Sequence, residues 1–227
     1  MDTPIVNPVW EALTGRQKHL NTGGEIVKFF NPEVCPFVAM ENWDTTNLTS
    51  LEAMLPAGRS FSVMIAKTVD IPSCFEIVFS CMLYQMICRK PVKPSKDLSE
   101  IRLLSYQHVP EMLALTTLTK PGPFFQNTIG MGDYYGIVLN GQLAAMAGER
   151  LKPEGFSEVS AICNHPEHLG RGYASLLTAH VTRKIQEEGA IPFLHVKQDN
   201  DRAIQVYQRI GFDVAANVHF AVFKRKG

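Results

Sequence analysis

An excess of charge of either sign is missing from this 227-residue chain: lysine plus arginine and aspartate plus glutamate number 22 each, for a formal net charge of zero at pH 7. Without a basic surplus the surface lacks the electrostatic footprint by which proteins hold DNA or RNA, so no nucleic-acid partner is expected. A long hydrophobic run is also missing. The most apolar stretch, "CFEIVFSCMLYQMICRK" (74–90), is too short and interrupted to span a bilayer, and the start "MDTPIVNPVW" lacks the basic-then-apolar layout of a signal peptide. The expectation is a soluble, cytoplasmic protein with no membrane partner. The five cysteines, Cys35, Cys74, Cys81, Cys88 and Cys163, are odd in number and contain no C-x-x-C pair. This argues against a disulfide framework and a structural zinc site, and for buried thiols. Asn47-Leu48-Thr49 matches a glycosylation acceptor, but without a secretory signal it carries no consequence.

What is present is an ordinary globular composition, 45% hydrophobic and 19% charged, in a chain long enough for one large or two small domains. The seam "CRKPVKPSKDLSE" (88–100), with two prolines and four basic residues, favours extended, solvated backbone and sets an expected boundary between residues 1–97 and 98–227. Before it, "NLTSLEAMLPAG" reads as a helix stopped by Pro56 and Gly58. "SFSVMIA" and "CFEIVFSCMLYQMI" read as buried strands, the second long enough to fold back as a hairpin. The first half is thus expected to be a small α/β domain.

After the seam come strand "IRLLS", helix "HVPEMLALTTLT", loop "KPGPFFQNTIGMG", and two strands joined through Asn140-Gly141, the strongest short hairpin signal. Strand "FSEVSAICN" then leads into a helix from Gly172 to Glu188, with Leu177, Val181 and Ile185 as its apolar stripe and Gly189 as its stop. Strand "IPFLHVKQ", helix "NDRAIQVYQRI" closed by Gly211, and strand "VHFAVFKR" complete the chain. A right-handed crossover should place "SEVSAICN" and "IPFLHV" side by side and parallel, with their C-terminal ends on the edge where α/β sheets hold ligands.

In "HPEHLGRGYASLL" (165–177), Gly170 and Gly172 stand directly before a helix. A helix N-terminus offers unpaired N–H groups and partial positive charge, so bare backbone there can hold a phosphate; an isolated G-x-G can equally serve only to turn the chain. Two familiar phosphate loops are absent. No G-x-x-x-x-G-K-[ST] occurs, and the glycines follow the fourth strand of the second half rather than a first strand.

"LGRGYA" after strand "SEVSAICN", followed by "DNDRAIQVYQRIGF", resembles the GNAT superfamily of acyl-CoA-dependent N-acetyltransferases over about Leu98 to Lys226. The family pattern [QR]-x-x-G-x-[GA] falls on Leu169-Gly170-Arg171-Gly172-Tyr173-Ala174. The second pattern, N-x-x-A-x-x-x-Y-x-x-x-G-F, falls on Asn200, Ala203, Tyr207, Gly211 and Phe212. "TKPGPF", "AMAGER" and "PFLHV" further resemble a glycine N-acyltransferase-like branch with a weakly related N-terminal half. The departure is Leu169, where the family usually has glutamine or arginine, which puts affinity in doubt. The implied fold is α/β of the α+β type: a mixed, mostly antiparallel central sheet with a splayed parallel strand pair, flanked by helices, plus the smaller N-terminal domain.

The resemblance implies acetyl-CoA as co-substrate, its pyrophosphate on the backbone of Leu169, Gly170, Arg171, Gly172, Tyr173 and Ala174, with Arg171 assisting by charge. The pantetheine arm would lie along Ile162, Cys163 and Asn164, with Asn200 hydrogen-bonding it and Ala203 beside it. Tyr207 would protonate the departing thiolate. The acceptor is a small-molecule or peptide amine. Glu158, eleven positions before Leu169, is the expected base, with Glu149 and His195 as rivals. His195 can also be a core histidine and Glu158 a structural glutamate. Direct transfer is the superfamily rule, which leaves Cys163 no nucleophilic role. His165 and His168 lack a third ligand, so no metal is expected. The loop with Phe124 and Phe125 is expected to cover the acceptor. A non-catalytic acyl-CoA-binding or sensor module and an amino-acid N-acyltransferase with a longer or aromatic acyl donor are the competing readings. An exposed sheet edge leaves room for a homodimer.

Overall fold

The computed structural model describes residues 4–66, 71–90, 92–93 and 100–227. Most of the proline- and lysine-rich seam therefore lies outside the described residues. The first half begins with α1 (Pro8–Thr14), opened by Asn7, whose side chain accepts from the Trp10 amide, and by Pro8 in its first turn. The short pair β1 (Val27–Phe29) and β2 (Val38–Met40) follows, then α2 (Thr45–Met54), capped by Asp44. Next come β3 (Ser60–Ile65) and β4 (Phe75–Ile87).

The second half runs β5 (Ile101–Leu103), α3 (Val109–Thr119), β6 (Tyr134–Leu139), β7 (Gln142–Glu149), β8 (Phe156–Asn164), α4 (Tyr173–Glu187), β9 (Ile191–Lys197), α5 (Asp201–Ile210) and β10 (Asp213–Arg225). This is the order read from the sequence. Asn140 and Gly141 both adopt positive φ, 50° and 79°, between the paired residues Leu139 and Gln142, as a two-residue hairpin turn demands. Gly211 ends α5 in the left-handed conformation and lets β10 begin two residues later.

Eight strands form one sheet in the order β3-β10-β4-β9-β8-β7-β6-β5. Every neighbouring pair is antiparallel except β8 and β9, which run parallel through only three pairs, Phe156 with Ile191, Ser157 with Pro192 and Glu158 with Phe193. Beyond Glu158 the partners part: β8 stays with β7, while Phe193–Lys197 pair with Leu83–Ile87 of β4. The register slips between Met146 and Gly148, opposite Ala161, whose φ of 52° is rare for a residue with a Cβ. This bulge bends β8 away from β9, and the mixed sheet splays open at the C-terminal ends of its parallel pair.

One expectation needs correction. The stretch 74–87 is one strand, not a hairpin, because β10 offers an equally long partner that pairs with β4 from Phe75 to Ile87. Its first half is exposed rather than buried, with Ile77, Val78 and Phe79 open on both faces. The division after residue 97 does not divide the sheet: β3 and β4 from the first half border β10 and β9 from the second. One apolar cluster joins Val9, Leu13, Phe30 and Phe37 to Leu83, Leu151, Phe193 and Val218. Of the second half's helices, α4 packs Leu177, Val181 and Ile185 against Ala145 and Ala147 of β7. Met112 and Leu115 of α3 cover Met146 on the other face. No helix among the described residues is long and apolar enough to cross a membrane.

Candidate active site

The glycine stretch lies at the open end of the splayed pair. Gly170 and Gly172 have φ of 80° and 81°, and a Cβ built at either would meet nothing within 4 Å. The left-handed dihedral, rather than crowding within the chain, is what requires glycine here. Gly172 precedes α4 and gives no side-chain cap, and the first turn's closing bond is from Leu176 N–H to the Gly172 carbonyl. The amides of Tyr173, Ala174 and Ser175 are thus left without helical partners, at the positive end of a 15-residue helix.

A groove of about 530 Å³ runs from this turn along α5. Ile162, Cys163, Asn164, Leu169, Gly170, Gly172, Ala174, Asn200, Ala203 and Tyr207 line it, so the two motifs and the end of β8 converge on one surface. Arg171 and Tyr173 do not line it. Arg171 is exposed, and Tyr173 packs against the apolar cluster under α4. The groove's cations are instead Arg202 and Arg209. Seven residues apart, they share one face of α5, a spacing legible in the sequence once the helix is known. Asn200 caps α5, its Oδ1 accepting from the Ala203 amide at 3.2 Å. The side-chain oxygen of Asn164, a residue of the groove's lining, is buried with no partner among the described residues.

A second cavity of about 570 Å³ opens on the other side of the splay, and Cys163, Asn164, Asn200 and Tyr207 line both. Tyr207 is 9% exposed, and burial pushes its phenol up to about 12, so it carries its proton at neutral pH. Burial likewise pushes the Cys163 thiol up to about 11, which removes the thiolate a nucleophile needs. The wall facing Tyr207 comes largely from the first half and β10: Phe37, Met64, Phe79, Leu83 and Phe220. Lys120–Pro123, at the start of the loop expected to cover the acceptor, border the cavity. Phe124 and Phe125 do not, and Phe124 is a core residue set edge-on against Tyr134 at 5.5 Å.

Glu158, the expected base, does not line either cavity and is fully buried. Its oxygens are gripped by Arg150, Nε to Oε2 at 2.9 Å and Nη2 to Oε1 at 2.7 Å, and Oε1 also meets His195 Nδ1 at 2.8 Å. Burial alone would raise its pKa, but the Arg150 charge and the hydrogen bonds from Arg150 and His195 outweigh that and hold it at about 2. Such a carboxylate is a poor proton acceptor at neutral pH. Glu149, its rival, is also buried away from both cavities, held by Ser157 Oγ and Lys152 Nζ.

His195 and Arg150 are the members of this network that border the second cavity. Sequence reasoning passed over Gln85, a fully buried amide near the C-terminal end of β4. The backbone N–H of Ile5 donates to Gln85 Oε1 at 2.9 Å, and Gln85 Nε2 donates to the Ile5 carbonyl at 3.0 Å. Those two bonds fix the amide's orientation and turn its nitrogen to His195 Nε2, 3.4 Å away. The network therefore assigns the imidazole proton to Nδ1, toward Glu158, and the lone pair to Nε2. Only the burial of an amide among apolar neighbours "LYQMI" hinted at such a role.

The FR47-like protein family matches residues 134–221. No curated protein matches the chain at a significant level. Among solved structures, a GNAT-family protein from Novosphingobium aromaticivorans DSM 12444 is 31% identical, covers 100% of both chains and superposes with a TM-score of 0.92. A GCN5-related N-acetyltransferase from Kribbella flavida, 15% identical over 96% of this chain and 93% of its own, shares the fold at a TM-score of 0.63. A GCN5-related N-acetyltransferase-like protein from Streptococcus suis 89/1591 does so at 11% identity and 0.58, over 96% and 92%. With both motifs gathered at one splayed strand pair and whole-length identity to a family member, this chain belongs to the GNAT family of acetyltransferases.

Proposed function

We propose that the chain transfers an acetyl group from acetyl-CoA to a primary amine, a small molecule or peptide terminus, by direct attack in a ternary complex. The observation that carries this reading is Tyr207, a buried phenol where the two cavities meet. The residues fit the donor. The free amides at the start of α4 and the guanidinium groups of Arg202 and Arg209 suit its phosphates, and the orphaned Asn164 oxygen suits an amide N–H of its arm. The residues from 98 to 227 carry this groove, and the first half completes the acceptor wall.

In the proposed reaction the amine enters from the second cavity and its nitrogen attacks the thioester carbonyl. The carbon–sulfur bond breaks, and Tyr207 delivers its proton to the departing sulfur. His195 Nε2, exchanging its 3.4 Å contact with Gln85 for the amine, takes the amine's proton, and Glu158 steadies the resulting imidazolium through Nδ1. Glu158 is thus a positioning residue.

The test is thermal unfolding with acetyl-CoA and desulfo-CoA, followed by thiol release with a panel of amines. Each ligand at about a hundred times its dissociation constant should stabilise by roughly 2.7 kcal/mol. Binding with thiol release supports the transferase. Binding without release on any amine, with acetyl, longer or aromatic acyl donors, would make the chain a CoA-binding module instead.

A further inference from the structure

The groove beside α4 and α5 has an inner and an outer part. Ile162, Cys163, Asn164, Leu169, Asn200 and Tyr207 line both it and the second cavity, so a reacting thioester belongs at that shared end. The lining that the groove keeps to itself comes from the glycine turn, the start of α4 and one side of α5, and it includes two cations, Arg202 and Arg209. Both are exposed, and neither forms an ion pair or a side-chain hydrogen bond among the described residues. Asp201, the acid in the first turn of α5, does not line the groove. Gln205 and Val206 stand between the two arginines on the same side of the helix. Seven residues of α-helix rise about 10 Å. The free amides of the α4 start, on the opposite wall, offer one seat for a phosphate cluster. Two bridged phosphates span less than the interval between the arginines. A pyrophosphate on those amides therefore occupies one guanidinium and leaves the other for a separate anion.

Resting on the acetyl-CoA reading, we infer that this second arginine holds the 3′-phosphate on the donor's ribose, and that the donor is free CoA rather than an acyl group borne on a carrier protein's phosphopantetheine arm. Such an arm carries a single phosphate and no nucleotide, and would leave the outer part of the groove empty. Dephospho-CoA has the nucleotide and the pyrophosphate but lacks the third phosphate. Arginine suits the task, because its planar guanidinium meets phosphate oxygens two at a time and keeps its charge at any working pH. The two arginines then divide their work: one adds affinity for the pyrophosphate, and the other adds selectivity for the complete coenzyme.

The experiment is calorimetric titration of the full chain with CoA, dephospho-CoA and 4′-phosphopantetheine, repeated on Arg202→Gln and Arg209→Gln. Both side chains are exposed, so the fold should survive, and thermal unfolding without ligand checks this. In the native chain CoA should bind about tenfold more tightly than dephospho-CoA, as a charge-assisted hydrogen bond provides, and phosphopantetheine should bind more weakly than either. One variant should erase the difference between CoA and dephospho-CoA, and the other should weaken both by the same factor. Dephospho-CoA or phosphopantetheine bound as tightly as CoA by the native chain would overturn this inference, whatever the variants do, and would leave acetyl transfer intact. Two variants that each weaken CoA and dephospho-CoA equally would also overturn it, since both arginines would then serve the pyrophosphate. A native chain that binds none of the three would overturn the acetyl-CoA reading itself.

Discussion

The two cavities that meet at Tyr207 are built by different means. The groove beside α4 and α5 is made chiefly from backbone: two glycines at positive φ, a helix start and the end of a bulged strand, all between Ile162 and Arg209. The acceptor cavity is made from side chains brought from afar, with Phe37, Leu83 and Phe220 on one wall and Lys120 and His195 on another. Behind it, Ile5, Gln85, His195, Glu158 and Arg150 form one chain of buried hydrogen bonds across the sheet. A surface that recognises phosphate needs amides in a fixed turn, which a short motif can encode. A surface that selects an acceptor needs shape and charge from many elements.

Variants at the junction and on either side test that contrast. Tyr207→Phe should lower kcat by roughly 10²- to 10⁴-fold while leaving the KM for acetyl-CoA nearly unchanged, since the phenol acts on the leaving sulfur. Steady-state kinetics with unchanged kcat would return Tyr207 to a packing role. On the acceptor side, Glu158→Gln should destabilise the fold by about 3–5 kcal/mol, because Arg150 is left charged and buried without its partner. Urea denaturation reads this directly, and Arg150→Met/Glu158→Leu should lose less than the single change.

The same pair sets the response to acid. Glu158 is held at about 2 against an ordinary 4.5, so its stabilisation is fully present above pH 4.5 and drains away as pH falls toward 2. The displacement corresponds to about 3 kcal/mol, and thermal unfolding between pH 5 and pH 2 should show the loss in the native chain and much less of it in Glu158→Gln.

On the groove side the effects are smaller and local. Gly172→Ala forces a Cβ into the left-handed region and should cost roughly 1–2 kcal/mol, together with weaker acetyl-CoA binding by calorimetry. Leu169→Gln, which restores the usual family residue at an exposed site, should tighten acetyl-CoA only a few-fold. A large gain there would mean that side chains matter on the backbone-built side as well.

The sequence by itself determined the element order of the second half, the Asn140-Gly141 hairpin, the parallel pair and the meeting of Leu169–Ala174 with Asn200 and Tyr207, because turns, helix stops and motif spacing are local properties. It did not reveal that the side chains of Arg171 and Tyr173 lie outside the groove's lining, since one residue's rotation around a helix start decides whether a side chain meets the groove. It also took 74–87 for a candidate hairpin, because the partner that keeps that strand straight, β10, lies more than a hundred residues away. Only the tertiary structure decided that Glu158 is spent on Arg150, that His195 borders the second cavity and that Gln85 and Ile5 set its tautomer. A carboxylate's protonation and a histidine's tautomer depend on burial and on partners distant in sequence, and those exist only once the two halves share one sheet.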